Sequence, residues 1–453
     1  MNENWLRFLH RIYSRSGRWG WSVTRRIKPM GWGMMVIALM TAILGTDIPR
    51  SGVYIYFCGA VSLLLVGFIW FWFRRARLVA VRHLPAYASV DEELRYASEV
   101  TNVGRAKARA LELEEWSPDP RPSWEEFSRQ PEPGEEMRNI VDRHLLYYRW
   151  TWLQDRKRGF DSLPGEVIES LAPGESRLVT FHLTPQRRGL LQLADLRALL
   201  PDPLGLFQRC LRVPASEDHL IVLPKRYRLG DFVMPGQARL HLGGEAAANT
   251  VGQTGDFLNL REYRPGDPFR TVDWKTWART GSPVVREYEE NFFPRYGLIL
   301  DTSGPGGPKF EEAVSVAASF VASIDTRECL LDLMFVKGTA IRSTAGRGVA
   351  KPGKLLQTLA TVEAESESHF DSLLSLVGRH QDGLTACLVV FPGWNDERAD
   401  FFNRLQRIGL EIEALAVAGP DDETSERPGR VHVLRVGHLE EDLQAATSRF
   451  SYS

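Results

Sequence analysis

Apolar residues near the start of the chain form two long uninterrupted runs. Residues 32–46 contain no charged side chain, and after a short polar turn at 47–52 a second apolar run extends over 53–73. As a helix, the second run is long enough to span about 30 Å of hydrocarbon, and the first is near the lower limit of about 17 residues. We therefore predict a transmembrane helical hairpin within residues 30–74.

Basic residues flank this hairpin and predict its orientation. The connecting turn has only Arg50 against Asp47, whereas both outer ends carry cations. These are Arg25, Arg26 and Lys28 before the first run and Arg74, Arg75 and Arg77 after the second. The positive-inside rule then predicts a two-pass protein with both termini in the cytoplasm. The basic leader, residues 1–29, can lie on the lipid surface as an amphipathic helix or be a disordered segment that only sets the topology.

Short alternating segments follow in residues 78–225 and predict an antiparallel β-sandwich-like domain. A Pro-rich and aromatic insertion interrupts it at about 117–161. Within the insertion, residues 145–159 can form a strand or a helix, and a strand hairpin packed on the core is the favoured interpretation. Residues 226–258 are rich in small side chains and are interpreted as a linker.

The pattern changes again at residues 291–453. Short Val-, Ile- and Leu-rich strands alternate with amphipathic helices, which predicts a doubly wound, Rossmann-like α/β domain with a parallel sheet covered on both faces. Ligand sites in such domains lie at the carboxyl ends of the strands. A chain of 453 residues with three such patterns is too long for one core, and we expect it to be multidomain.

The strand-end loop that begins at Asp301 is the first candidate for chemistry. Asp301 and Ser303 suit a hard cation such as Mg²⁺ or Mn²⁺, and Asp396, beyond a later strand, could add an oxygen ligand. Pro305 stands where a further hydroxyl would complete this site, so we expect no bound cofactor and keep a divalent metal as the alternative. Asp301 would otherwise cap or brace the following helix.

The densest pattern is the segment 259–290, which combines six cations, six anions and five aromatic residues. Its turn is stiffened by prolines and contains a glycine. The residues singled out here are Arg261, Glu262, Tyr263, Pro265, Gly266, Asp267, Asp273, Trp274, Lys275, Arg279, Arg286, Glu287, Tyr288 and Glu289.

Three interpretations of this segment stay open. The first is an interdomain clasp in which Asp267 and Asp273 pair with Arg264, Arg270 or Arg279. The second is direct contact with a partner, and the least favoured is a hydrolase site at the domain junction, because carboxylates beside so many arginines make poor general acids.

Composition and motif content disfavour several classes of partner and of enzymatic activity. The net charge is −1, which gives no sign of a nucleic-acid partner. Four cysteines are scattered without metal-ligand spacing, and no pattern typical of a phosphate loop, a catalytic elbow or a metalloprotease occurs. The sequence therefore favours a protein without enzymatic activity.

The segment 255–289 resembles the defining motif of the bacterial "domain of unknown function 58" family. The residues that carry the resemblance are Leu260-Arg261-Glu262-Tyr263, Pro265-Gly266-Asp267, Asp273-Trp274-Lys275, Ala278-Arg279, Arg286-Glu287-Tyr288-Glu289, and, earlier, Arg187-Arg188-Gly189 and the run 202–207. The resemblance implies a protein anchored in the inner membrane, with a C-terminal domain similar to a von Willebrand factor type A domain. It also implies a MoxR-type AAA+ ATPase as partner and assigns no catalytic residue. The expected function is that of a membrane adaptor or scaffold.

Overall fold

The computed structural model describes residues 3–44, 51–73, 75–132, 135, 138–216, 218–230, 232, 234, 252–288, 294–304, 306–327, 329–346, 349–419 and 429–450. The chain divides into two compact units, Met1–Leu223 and Pro224–Ser453. The turn 47–50 of the predicted hairpin lies outside the described residues.

Three helices open the first unit: α1 (Glu3–Thr24), α2 (Pro29–Leu44) and α3 (Ser51–Phe73). Within the described part of the chain, α3 is the one helix that is both long and apolar enough to cross a membrane. Helix α2 is also apolar but has only 16 residues, and it contacts α3.

The first part of α2 and the last part of α3 contact the turn 202–207. The Asp202 carboxylate shapes this turn because its Oδ1 accepts hydrogen bonds from the backbone N–H groups of Leu206 at 2.7 Å and of the next residue at 3.0 Å. A Cβ atom at Gly31 would lie 2.3 Å from the Leu206 carbonyl oxygen, and one at Gly67 would lie 2.9 Å from Oδ2 of Asp202. Glycines on both helices therefore allow the turn to approach their backbones closely.

Eleven strands form the β-domain of this unit. They are β1 (Leu78–His83), β2 (Tyr87–Ser89), β3 (Leu94–Asn102), β4 (Ala108–Trp116), β5 (Phe160–Leu163), β6 (Ile168–Leu171), β7 (Ser176–Pro185), β8 (Gly189–Leu193), β9 (Asp195–Pro201), β10 (Gln208–Val213) and β11 (Asp218–Leu223).

The strands form three sheets. Two four-stranded antiparallel sheets, in the orders β1-β3-β7-β5 and β10-β9-β4-β6, share one buried core with a third sheet, β2-β11-β8. The antiparallel pairing predicted for this domain is confirmed, with the short parallel pair β2–β11 as an exception.

A buried ion pair crosses the core of this β-domain. Arg82 Nε lies 2.5 Å from Glu115 Oε1, Arg82 Nη2 lies 3.1 Å from Oε2, and the Tyr96 hydroxyl donates to Oε1 at 3.0 Å. Both charged side chains are almost fully buried, 0 % and 1 % exposed. Burial, followed by the nearby Glu115 carboxylate, raises the pKa of Tyr96 well above its usual range. Tyr96 therefore remains a neutral donor.

The insertion is helical, so the favoured strand hairpin at 145–159 is wrong. It contains α4 (Trp124–Arg129), α5 (Ile140–Leu145) and α6 (Tyr147–Lys157). Leu146, Trp150 and Leu153 are buried together, and their spacing of four and three residues is that of one helix face.

Helix α1 supplies the other side of this small core. Leu9 of α1 is buried against Phe127 and Trp150 of the insertion, and the Tyr13 hydroxyl donates to the Leu145 carbonyl at 2.8 Å. The leader is therefore an ordered amphipathic helix, and the disordered alternative is wrong. Its buried face contacts protein.

The second unit begins with strand pairing that was not expected. Strand β12 (Gly252–Glu262) starts inside the predicted linker 226–258 and pairs antiparallel with β13 (Val284–Tyr288). At the other end of that predicted linker, Tyr227 packs beside a helix of the α/β domain. Its backbone N–H donates to Ser319 Oγ at 2.8 Å, and its hydroxyl donates to Glu312 at 2.6 Å.

The α/β domain follows. Its strands are β14 (Arg295–Leu300), β15 (Leu330–Lys337), β16 (Thr339–Gly346), β17 (Ala386–Phe391), β18 (Glu411–Ala418) and β19 (Val431–Arg435). Between β12 and β13 lies α7 (Trp274–Thr280), and the sheet is accompanied by α8 (Pro308–Ser323), α9 (Pro352–Ala360), α10 (Phe370–Gly378), α11 (Asp396–Gln406) and α12 (Leu439–Phe450).

The six strands have the order β16-β15-β14-β17-β18-β19. The predicted parallel sheet is confirmed for five strands, whereas β16 pairs antiparallel with β15 through a tight turn at Gly338, where φ is 66°. Since the strand order reverses at β14, the carboxyl ends of β14 and β17 form the switch point where ligands of such sheets bind.

Candidate functional site

The loop after β14 lies at this switch point, and Asp301 holds it together. The Asp301 carboxylate is 1 % exposed, and its Oδ1 accepts from the Ser303 backbone N–H at 2.8 Å and from the Ser303 hydroxyl. Its Oδ2 accepts from Arg398 Nε at 2.6 Å. Asp301 thus braces its own loop. The capping alternative is wrong, because Gly307 is the N-cap residue of α8 and no side chain caps this helix.

Arg398 is the functional residue that sequence reasoning missed. It lies in the first turn of α11, where its backbone N–H donates to the cap residue Asn395 at 2.9 Å. Its Nη2 also donates to the Ser303 carbonyl at 2.9 Å. A cation in the first turn of a helix opposes the helix dipole and calls for an anionic partner, and this was the available signal.

The guanidinium of Arg398 therefore occupies the position next to Asp301 that a divalent cation would need. Asp301 and Ser303 lie together as predicted, whereas Asp396 is exposed at the start of α11. Within the described ranges, no group of three or more His, Cys, Asp or Glu side chains could hold a metal ion. Pro305 lies outside the described residues.

Neighbouring loops at this edge are hydrogen-bonded to one another. The Gly304 N–H donates to the Glu365 carbonyl at 2.8 Å, and the Glu365 N–H donates to the Thr302 carbonyl at 2.7 Å. The Glu365 side chain accepts from the Gly338 N–H at 3.0 Å. The loop after β14, the turn between β15 and β16 and the loop between α9 and α10 thus form a preorganised edge.

The second candidate site is the module formed by residues 260–286, which we call the hairpin module. Its turn contains Gly266 with φ of 110°, a conformation that favours glycine. Asp267 Oδ1 and Oδ2 each lie 2.7 Å from a terminal nitrogen of Arg261, and Oδ2 also accepts from the Arg264 N–H at 2.8 Å. This bidentate pair closes the turn onto β12.

Asp273 ties α7 to the second strand of the module. Its Oδ1 caps α7 by accepting from the Thr276 N–H at 2.9 Å, and its Oδ2 accepts from Arg286 Nε at 2.8 Å. Both aspartates pair with arginines, but the predicted partners Arg264, Arg270 and Arg279 are wrong, and the partners are Arg261 and Arg286. The side chains of both partners project from paired strands and so can reach the turn and the helix end.

Aromatic rings of the module stack on one another. The centroids of Trp274 and Trp277 are 5.3 Å apart, and those of Tyr263 and Phe269 are 6.1 Å apart. Trp274 is 59 % exposed and Phe269 is 70 % exposed. Their stacking partners, Trp277 and Tyr263, are partly buried, so each pair presents one exposed ring on the surface of the module.

The remaining predicted residues lie around these pairs. Glu262, Pro265, Lys275 and Arg279 are exposed. Glu287 and Tyr288 belong to β13, but their side chains, like residues 289 and 290, lie outside the described part.

Both aspartates of the module are held in the ionised form. The hydrogen bond from Arg261 lowers the pKa of Asp267 to about 2. For Asp273, the pKa is lowered first by the Thr276 N–H and then by Arg286. Such groups are poor proton donors near neutral pH, which disfavours a hydrolase site here.

We predict that Asp267 titrates at about 2 in the folded protein instead of near 3.8. Because the folded pKa is depressed, the ionised carboxylate stabilises the module above about pH 3.8, and this stabilisation is lost as the pH falls towards 2. Carboxyl ¹³C NMR of aspartate-labelled protein, assigned with Asp267→Asn, measures the midpoint. Arg261→Ala should raise it, and an unchanged midpoint in that variant would contradict the assigned cause.

Residues 259–442 match the family model described as "Protein of unknown function DUF58". This match supports the resemblance inferred from the hairpin module. It also extends over most of the α/β domain, to α12.

The chain is also similar in sequence to a known protein. The uncharacterized protein YeaD of Bacillus subtilis (strain 168) is 26 % identical over 201 residues, which are 44 % of this chain and 44 % of the relative. The aligned region thus spans less than half of that relative's length.

Solved structures give only distant similarity. The CARDB domain of PF1109 from Pyrococcus furiosus matches with 13 % identity and a TM-score of 0.17, covering 33 % of this chain and 91 % of that domain. A GH20 exo-β-N-acetylglucosaminidase from Vibrio harveyi matches with 9 % identity and a TM-score of 0.15, covering 76 % and 57 %. Neither score supports an inference about fold or activity.

Proposed function

We propose that this protein is a non-enzymatic adaptor of the inner membrane. Helices α2 and α3 cross the bilayer as a two-pass anchor with both termini in the cytoplasm. The α/β domain is a von Willebrand factor type A-like module that it presents to a MoxR-type AAA+ ATPase or to a client of that ATPase.

The observation that carries this proposal is the exposed aromatic surface of the hairpin module. Aromatic residues are enriched at protein-binding surfaces, where Trp, Tyr and Arg contribute most of the affinity. Trp274 and Phe269 lie on a short hairpin and helix that are held rigid by Asp267 and Asp273. Little conformational entropy would therefore be lost on binding.

The sheet supports the type A-like assignment. Its parallel strands, flanking helices and reversal at β14 place one loop-rich edge at the strand carboxyl ends. The hydrogen bonds among Thr302, Gly304, Gly338 and Glu365 make that edge a stiff surface.

A divalent-metal-dependent binding module was the alternative function. The ion pair between Asp301 and Arg398 favours the metal-independent form, because a cation would have to displace a guanidinium that is 14 % exposed and makes two hydrogen bonds to this loop. Protein binding at this edge would then need no cofactor.

We predict that a photo-crosslinking amino acid at Trp274 captures an AAA+ ATPase in native membranes. The matched control is the same amino acid at Val349, an apolar residue of the same unit that is 62 % exposed. Trp274→Ala should reduce co-purification of the ATPase at least about tenfold, the effect expected of an interface hot spot. Equal capture at both positions, or capture of no ATPase at Trp274, would overturn the proposed partner.

A further inference from the structure

The hairpin module carries a net positive charge, although the longer segment 259–290 that contains it is neutral. From residue 260 to residue 286 the described side chains include six cations and three anions, a net charge of +3. The three glutamates that balance the longer segment 259–290 all follow Arg286. The basic part and the acidic part are therefore separated along the chain.

Two of those three anions are already engaged inside the module. Asp267 pairs with Arg261, and Asp273 pairs with Arg286. Four further cations are exposed and make no ion pair within the described part of the chain: Arg264, Arg270, Lys275 and Arg279. Their charge is available to a partner.

These cations lie beside the exposed rings. On α7, Lys275 and Arg279 are four residues apart and share one face, while Trp274 and Trp277 are three residues apart and share the adjacent face. Arg270 directly follows the exposed ring of Phe269. Cationic and aromatic side chains are thus neighbours both on the surface of α7 and at residues 269–270.

We propose that this surface binds a carboxylate-rich segment of a partner protein that also carries aromatic or aliphatic side chains. The inference deepens the proposed adaptor function and rests on it. The four exposed cations attract the carboxylates, and the outer faces of the stacked rings contact the apolar groups.

A protein segment fits better than a nucleic acid for two reasons. Nucleic-acid-binding domains are strongly basic, whereas this chain has a net charge of −1. The rings of Trp274 and Trp277 also cover one face of each other, which leaves one outer face on each ring, fewer than a run of successive bases would need.

The test uses the full chain in lipid nanodiscs and two fluorescent probes, a glutamate–tyrosine copolymer and oligouridylate RNA of similar charge. The variant Arg264→Glu/Lys275→Glu/Arg279→Glu reverses three cations of the module. The matched control, Lys351→Glu/Arg379→Glu/Arg407→Glu, makes the same charge change at exposed positions of the α/β domain. Melting temperatures confirm that both variants fold.

We expect the copolymer to bind wild type, to bind the module variant at least tenfold more weakly, and to bind the control variant unchanged. Affinity should also fall as NaCl is raised. Equal weakening in both variants, or tighter binding of the RNA through the same residues, would overturn the inference. Copolymer binding without ATPase capture at Trp274 would contradict only the proposed ATPase partner and would leave the inferred binding surface supported.

Discussion

Replacing Glu115 with alanine is expected to destabilise the β-domain by about 3–5 kcal/mol. The change leaves the Arg82 guanidinium, which is 0 % exposed, without its carboxylate in the core. It also removes the acceptor of the Tyr96 hydroxyl, so two buried polar groups lose a partner at once. Hydrogen–deuterium exchange of peptides from β1, β3 and β4 in the full chain measures the loss.

A matched control distinguishes the effect of losing a buried ion pair from the effect of losing an exposed one. Glu93 also pairs with an arginine, Arg95, but both side chains are exposed, 43 % and 68 %. Glu93→Ala should therefore cost no more than about 1 kcal/mol. The double variant Arg82→Met/Glu115→Leu should recover much of the lost stability, because it removes both charges. Equal effects of Glu115→Ala and Glu93→Ala would show that the core pair is accessible to water.

Asp301→Ala is expected to be the second most damaging change, at about 2–4 kcal/mol. It removes the acceptor of Arg398 and of two donors from Ser303, at a residue that is 1 % exposed. The effect should be smaller than that of Glu115→Ala, because Arg398 retains some access to water. Thermal unfolding of the full chain, with exchange at the peptide after β14, measures it.

The ion pair between Asp301 and Arg398 also leads us to predict that divalent metals do not stabilise the protein. Wild-type protein should melt at the same temperature with and without MgCl₂ or MnCl₂, since a ligand stabilises a protein only by binding its folded state. Asp325→Ala, which breaks an exposed pair with Arg327, is the control and should change stability little. A metal-dependent rise in the wild-type melting temperature that Asp301→Ala abolishes would restore the metal-dependent alternative.

Sequence periodicity was sufficient for most of the fold. Alternation in segments such as β3 and β4, and the Val- and Leu-rich runs of β14 and β17, follow directly from which faces are buried. The helix α6 was not identified, because Trp150 and Leu153 are spaced for a helix, while the surrounding aromatic and basic residues also suit a strand. Only the packing of α1 on that face decides between the two.

The candidate sites were predictable in part. Asp301, Ser303, Asp267 and Asp273 could be singled out because they stand at turns and strand ends, where side-chain oxygens accept from backbone N–H groups or bind cations. Their arginine partners were not found, since Arg398 lies 97 residues from Asp301, and a guanidinium can reach many positions. Exposure of the rings in the hairpin module was also unpredictable, because composition does not reveal which face of a short hairpin is covered.

The turn 202–207, seated against Gly31 and Gly67, has a mechanical consequence. The β-domain is held to the helices at three points. These are the chain that enters it after α3, this turn against Gly31 and Gly67, and the backbone before α2, where the Lys28 N–H donates to the Leu206 carbonyl and the Gln208 N–H donates to the Arg26 carbonyl. Three attachments prevent the rotation of the β-domain relative to the helices that a single flexible connection would allow. A rotation or sliding of α2 against α3 would therefore act as a torque on β9 and β10 and would be passed into the β-sheet as a rigid movement.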